Sequence, residues 1–136
     1  MRFSWFLASV LTLAGDAVSQ TLNAIPDGRR GSPGDFLETQ MQSDGKLLFT
    51  FWTTGGGGHV CRLHGLAVPT ESGVFVFREA GSKCVFHLFA ESDALRTEDV
   101  GEQCREENCG PRNVFGSMRW PLNQTLPLTD EIRPAW

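Results

Sequence analysis

Phe36-Leu-Glu-Thr-Gln-Met-Gln42, Ser43-Asp-Gly45, Lys46-Leu-Leu-Phe-Thr-Phe-Trp-Thr-Thr54 is the stretch that decides the fold. Two β-type runs flank an Asp-Gly pair, a strong hairpin signal, because glycine accepts the positive φ that such a turn demands. The pattern continues beyond it. Four consecutive glycines, Gly55 to Gly58, interrupt the chain before a third run, His59 to Thr70, which sets Cys61, Leu63, Gly65 and Ala67 on one face. Glu71-Ser-Gly73 turns into Val74–Glu79, and Ala80-Gly-Ser-Lys83 turns into Cys84–Glu91. In that last run Cys84, Phe86, Leu88 and Ala90 alternate with Val85, His87 and Phe89.

Short runs with two-residue alternation, separated by turn residues, predict an antiparallel meander. Asp93–Val100 reads as an edge strand or a loop, and Val114–Pro121 as a last strand offering Phe115 and Trp120 to the core. No window carries a helical stripe. The fold class expected is all-β: a small antiparallel β-barrel or curved meander sheet stabilised by two disulfides. Closing the sheet would hide edges that otherwise invite pairing with other chains. Ten Phe and four Trp are compatible with either a filled or a hollow interior.

The flanking segments read differently. Met1-Arg2 is followed by a mostly apolar run from Phe3 to Gly15, and Ala17-Val-Ser19 places small residues as at a signal-peptidase site. Residues 1–19 are therefore expected to be a signal peptide, too short to span a bilayer, and the chain to be periplasmic or secreted. No later stretch approaches the roughly 20 apolar residues of a membrane span. Residues 20–35, rich in Pro, Gly, Arg and Asn, read as a flexible N-terminal arm. Residues 36–122 form the β-barrel domain, and 123–136, with two prolines, a C-terminal tail. Asn123-Gln-Thr125 matches a glycosylation acceptor, a pattern frequent by chance.

An exported chain changes how four cysteines are read. In an oxidising compartment Cys61, Cys84, Cys104 and Cys109 are expected to form two disulfides. Three pairings are possible, and locality favours Cys104–Cys109 with Cys61–Cys84. A metal set of His59, Cys61, His64, Cys104 and Cys109 fits no standard zinc spacing, so no metal or cofactor is expected. The net charge of −4 argues against nucleic acid, whose phosphates require a basic face. It would suit a cationic partner, and it is also ordinary for solubility.

Residues that could carry chemistry have plain structural rivals. The glycine run lacks the helix and Lys-Ser/Thr pair of a phosphate loop, so a strand connection is the better reading. No Gly-x-Ser-x-Gly elbow or His-Glu-x-x-His pattern occurs. Glu106 and Glu107 are adjacent rather than on facing elements, unlike a glycosidase pair. No catalytic residue is named, and binding rather than catalysis is expected. The residues proposed for partner contact are Trp52, Thr53 and His59 around the glycine loop, with Glu106, Glu107 and Arg112 around Cys104–Cys109. Arg112 follows a proline and can fork onto a carboxylate or cap carbonyls at a strand end.

Gly58-His-Val-Cys-Arg-Leu-His-Gly-Leu-Ala67, Cys84-Val-Phe-His-Leu88 and Cys104-Arg-Glu-Glu-Asn-Cys-Gly-Pro-Arg112 together resemble small periplasmic proteins of Gram-negative bacteria. Those carry a His-x-Cys-x-x-x-Gly-x-Ala strand and a Cys-Arg…Cys-Gly-x-Arg-Gly ending. Some look like barrel companions of LprI-type lysozyme inhibitor domains, and the disulfide-tied barrel is similar to the periplasmic inhibitors of C-type lysozyme. The resemblance spans roughly residues 36–120 and departs in two places. Asn113 stands where the ending has glycine, and the absence of any Tyr removes the Ser-Gly-x-x-Tyr inhibitory loop. No inhibitory residue carries over from that family. The resemblance implies an inhibitor-like or immunity-like protein acting on a cationic cell-wall hydrolase such as lysozyme. The alternative is a small-ligand or envelope-binding β-barrel.

Overall fold

A computed structural model describes residues 25–70, 73–110 and 115–127. The expected signal peptide, Arg112 and most of the expected tail lie outside these residues. Nine antiparallel strands make one sheet: β1 (Gly28–Gly31), β2 (Phe36–Met41), β3 (Leu47–Thr54), β4 (Val60–Pro69), β5 (Val74–Arg78), β6 (Val85–Ala90), β7 (Ala94–Asp99), β8 (Met118–Pro121) and β9 (Thr125–Leu126). Among the described residues one short α-helix, α1 (Gln103–Asn108), follows β7. The class expected from sequence is the class found, a curled half-barrel of all-β type with two disulfides.

The order across the sheet is β8-β7-β6-β5-β4-β3-β2-β1-β9, a meander whose last strand returns to the far end. Only Leu122, Asn123 and Gln124 separate β8 from β9, although the two lie at opposite ends of that order. The sheet must therefore curl until its ends approach. The tight turn is held by the Gln124 N–H on the Pro121 carbonyl at 3.3 Å. The Asp-Gly hairpin forms as expected, with Gln42 N–H on the Lys46 carbonyl at 2.9 Å and Gly45 at φ 83°.

β4 is the seam of the sheet. It pairs with β3 from Val60 to Ala67, but with β5 only at Val68 and Pro69. Between those registers β4 and β5 diverge, and the Phe77 ring lies over Gly65, where a Cβ would collide with it. Inward positions alternate as the sequence pattern required: Leu47, Phe49, Phe51 and Thr53 on β3, then Cys61, Leu63 and Ala67 on β4, are all buried. The interior is filled by aromatic rings. Phe51 sits 4.6 Å from Phe115, 5.3 Å from Phe86 and 5.8 Å from Trp120, mostly edge to face. Trp120 donates its indole N–H to the buried Thr97 hydroxyl at 3.1 Å, so the one polar atom of the ring is satisfied.

Four expectations about the fold need correction. Residues 25–35 are not a loose arm: Ile25 is 1% exposed and β1 pairs with both β2 and β9. Their polar composition hid a buried cation. Arg30 is 1% exposed and donates to the Pro26 carbonyl at 2.9 Å, the Thr39 hydroxyl at 3.1 Å and the Gly28 carbonyl at 3.3 Å. Burial lowers its pKa below the ordinary guanidinium range, opposed by the nearby Asp27 carboxylate. The expected tail likewise starts with a paired strand, β9. The ambiguous Asp93–Val100 segment contains β7, which pairs with β6 and β8 and so lies inside the sheet.

The disulfide pairing is the fourth correction. Cys61 bonds Cys109 and Cys84 bonds Cys104, with sequence separations of 48 and 20. Neither local pair forms, for two geometric reasons. Cys104 lies within α1 and Cys109 caps it, and side chains five residues apart on a helix point about 140° away from each other. Cys61 belongs to β4 and Cys84 immediately precedes β6, and β5 lies between those two strands. Closing loops of these lengths stabilises by roughly 4 and 3 kcal/mol in the chain-entropy account. Two disulfides place the chain in an oxidising, non-cytoplasmic compartment. Among the described residues no helix is long and apolar enough to cross a membrane.

Candidate functional site

Asp99 builds the site by fixing α1. Its carboxylate accepts the N–H groups of Cys104 at 3.0 Å and Arg105 at 2.8 Å, taking two donors that the first turn of a helix leaves without partners. Gln, Arg and Glu are adequate helix formers, Cys104 supplies the buried face, and Gly110-Pro111 follows the end. Six residues are too few to show a stripe in sequence, which is why the helix reads there as a loop. Burial raises the Asp99 carboxyl above its ordinary 3.8, against the N–H donors of Arg105 and Cys104 that hold it down.

That direction sets a pH dependence. A carboxyl with a raised folded value contributes stability that is complete below 3.8 and lost as pH climbs through the raised value. Asp99→Asn cannot titrate. Relative to it, the native chain is expected to gain stability as pH falls from neutral towards about 4. Urea midpoints of both proteins across that range provide the check, and a constant difference would refute the burial argument.

Two disulfides bolt the helix to the sheet at both ends. Cys84–Cys104 ties it to β6, and Cys61–Cys109 ties its C-terminal cap to β4. Cys109 also pairs with Cys61 as an isolated antiparallel bridge. The next residue, Gly110, lies against the His59 ring, where a Cβ would stand 2.5 Å from Nδ1. The two loops singled out from sequence are thus joined into one rim.

Where β4 and β5 diverge, an open groove of about 460 Å³ runs beneath this rim, lined by Arg62, Leu63, His64, Glu79, Glu107, Asn108 and Cys109. Asn108 donates to Glu79 at 3.1 Å across the mouth, and His64 Nδ1 shares a hydrogen bond of 2.9 Å with the Thr50 hydroxyl. Glu107 is exposed and accepts the Lys83 N–H at 3.1 Å. Its pKa falls below the ordinary 4.5, chiefly through a hydrogen bond to the Ser82 side chain and then through Lys83. Glu102 and Glu106 are exposed on the same segment.

The sequence-derived contact residues divide accordingly. Glu107 lines the groove, Glu106 is exposed on the same helix and His59 packs on Gly110 at the rim. Trp52 is half-buried, opposite Arg62 on β4 and parallel to the Phe36 ring at 6.3 Å. Thr53 is 3% exposed and faces the interior, so it belongs to the core rather than to a contact surface. Arg62, Glu79 and Asn108 were not foreseen. The outward alternation of β4 signals Arg62, whereas Glu79 and Asn108 meet only through the non-local disulfide pairing. All four cysteines are consumed in disulfides, which leaves no thiol for the mixed His and Cys metal set. No protein-family model, curated protein or solved structure matches the chain.

Proposed function

We propose that this chain is a periplasmic or secreted binding protein that engages a cationic protein through the α1 rim, with a cell-wall hydrolase such as a lysozyme as the partner. The observation that carries this reading is the exposed Glu102, Glu106 and Glu107 on a segment fixed by two disulfides. Rigidity matters because a contact surface already ordered loses little entropy on binding. Carboxylates at its edge accelerate encounter with a basic surface and suppress other partners. The resemblance to lysozyme-inhibitor-associated barrels supports the same assignment. Its role is binding and not catalysis.

A small-ligand reading finds less support. Phe49, Phe51, Phe86 and Phe115 occupy the interior where such a ligand would sit. What favours it is an apolar outer notch of about 340 Å³ lined by Leu66, Val68, Thr70, Val76 and Arg78.

The test is titration of the oxidised chain, residues 20–136, into cell-wall lysis by C-, G- and I-type lysozymes at low and moderate salt. Stoichiometric inhibition of one type, weakened by salt, is expected. The double substitution Glu102→Lys and Glu106→Lys is expected to weaken it by roughly tenfold or more through charge reversal at the rim. Absence of inhibition of all three types overturns the lysozyme assignment. Inhibition unaffected by the double substitution moves the contact surface elsewhere.

A further inference from the structure

The two disulfides differ in what surrounds them. Cys84 and Cys104 are 1% and 0% exposed, so the bond between them is sealed from solvent. Cys61 is also 0% exposed, but its partner Cys109 is half-buried and lines the open groove beneath the rim. Thiol–disulfide exchange requires a thiolate to reach a sulfur from outside, so access decides which bond reacts. Of the four cysteines, Cys109 is the one that is not fully buried, and it borders the groove.

We infer that Cys109 is a thiol-exchange site, and that a dithiol reductant entering the groove opens Cys61–Cys109 while Cys84–Cys104 persists. A thiolate of the dithiol attacks the Cys109 sulfur and breaks the Cys61–Cys109 bond. Cys61 leaves as a thiolate and takes up a proton, and a mixed disulfide remains on Cys109. The second thiolate of the dithiol then attacks its own sulfur in that mixed disulfide. Cys109 is released and protonated. The dithiol ends as its oxidised disulfide, and the protein pair as two thiols.

The consequence is local. Cys61–Cys109 is the bond that fastens the end of α1 to β4, and Gly110 behind it is the seat of the His59 ring. Opening it frees the junction between α1 and the β3–β4 loop. The helix itself stays, because Cys84–Cys104 and the Asp99 carboxylate hold its first turn. The rim therefore has two states, selected by the thiol balance of its compartment. This inference does not depend on any partner, so it stands or falls separately from the lysozyme assignment.

The experiment uses the oxidised native chain and a dithiothreitol series without denaturant, quenched with N-ethylmaleimide and mapped by peptide mass spectrometry. Cys61 and Cys109 are expected to acquire label together, roughly tenfold or more faster than Cys84 and Cys104. Equal rates, or earlier labelling of Cys84 and Cys104, overturn the proposal. Hydrogen exchange on the partly reduced protein tests the consequence. Faster exchange at residues 55–61 with unchanged β5, β6 and β7 is expected, and unchanged exchange at 55–61 overturns the two-state rim.

Discussion

Phe51→Ala is expected to cost about 3–5 kcal/mol of folding stability. Phe51 is fully buried, and its ring meets Phe86 of β6, Phe115 before β8 and Trp120 of β8. Phe51 belongs to β3 and these neighbours to the β5–β8 half of the sheet, so truncation opens a void at the place where the two halves are held together. Partial collapse is difficult, because each neighbour is itself fixed: Phe86 also stacks on Phe49 at 5.6 Å, and Trp120 is tied to Thr97. A loss of that size is a large share of the roughly 5–15 kcal/mol that keeps a domain folded. Equilibrium urea unfolding measures it. A loss below about 1 kcal/mol would mean that the rings refill the space and that the aromatic cluster is not what closes the half-barrel.

Gly31→Ala is the second large effect, through backbone rather than core. Gly31 has a φ of 115°, which L side chains rarely adopt. A Cβ there would also meet the Asp35 carbonyl oxygen, the Trp120 ring at 2.9 Å and the Phe36 Cα at 3.1 Å. The strained φ and the crowding against rigid atoms act together, for roughly 3 kcal/mol or more. Gly45→Ala separates the two causes. Its φ of 83° is equally unsuited to alanine, yet nothing lies within 4 Å of the added atom. It is expected to lose only about 1 kcal/mol. Equal losses at both positions, read from thermal or urea midpoints, would show that crowding at the β1–β8 approach is unimportant.

The strands were legible wherever a run is long enough to alternate. β2, β3, β4, β5 and β6 follow from the alternation of Leu, Phe and Cys with polar residues, and the first turn from Asp44-Gly45. β1 was not, since Gly28-Arg-Arg-Gly31 carries no apolar residue, and a buried arginine held by carbonyls and a hydroxyl leaves no mark in hydrophobic pattern. α1 was hidden by its brevity. The disulfide pairing depended on that helix and on the position of β5, neither of which sequence separation encodes. For the same reason Glu106 and Glu107 were accessible to reading as an acidic pair, but their union with Arg62, Glu79 and Asn108 around a groove was not. That union rests on where the meander brings β4 and α1 together.

The three-residue link from β8 to β9 also fixes an order of events. Arg29 pairs with Leu126 and Arg30 with Thr125, the most distant strand pairing in the described chain. A polypeptide delivered amino end first presents β1 long before the strand that covers it exists. During that interval both flanks of the growing sheet stay open to other chains, and contacts of such long range form slowly. The vulnerable period of this protein's life therefore ends when Leu122–Gln124 swings the final strand across, and not when the hairpins have formed.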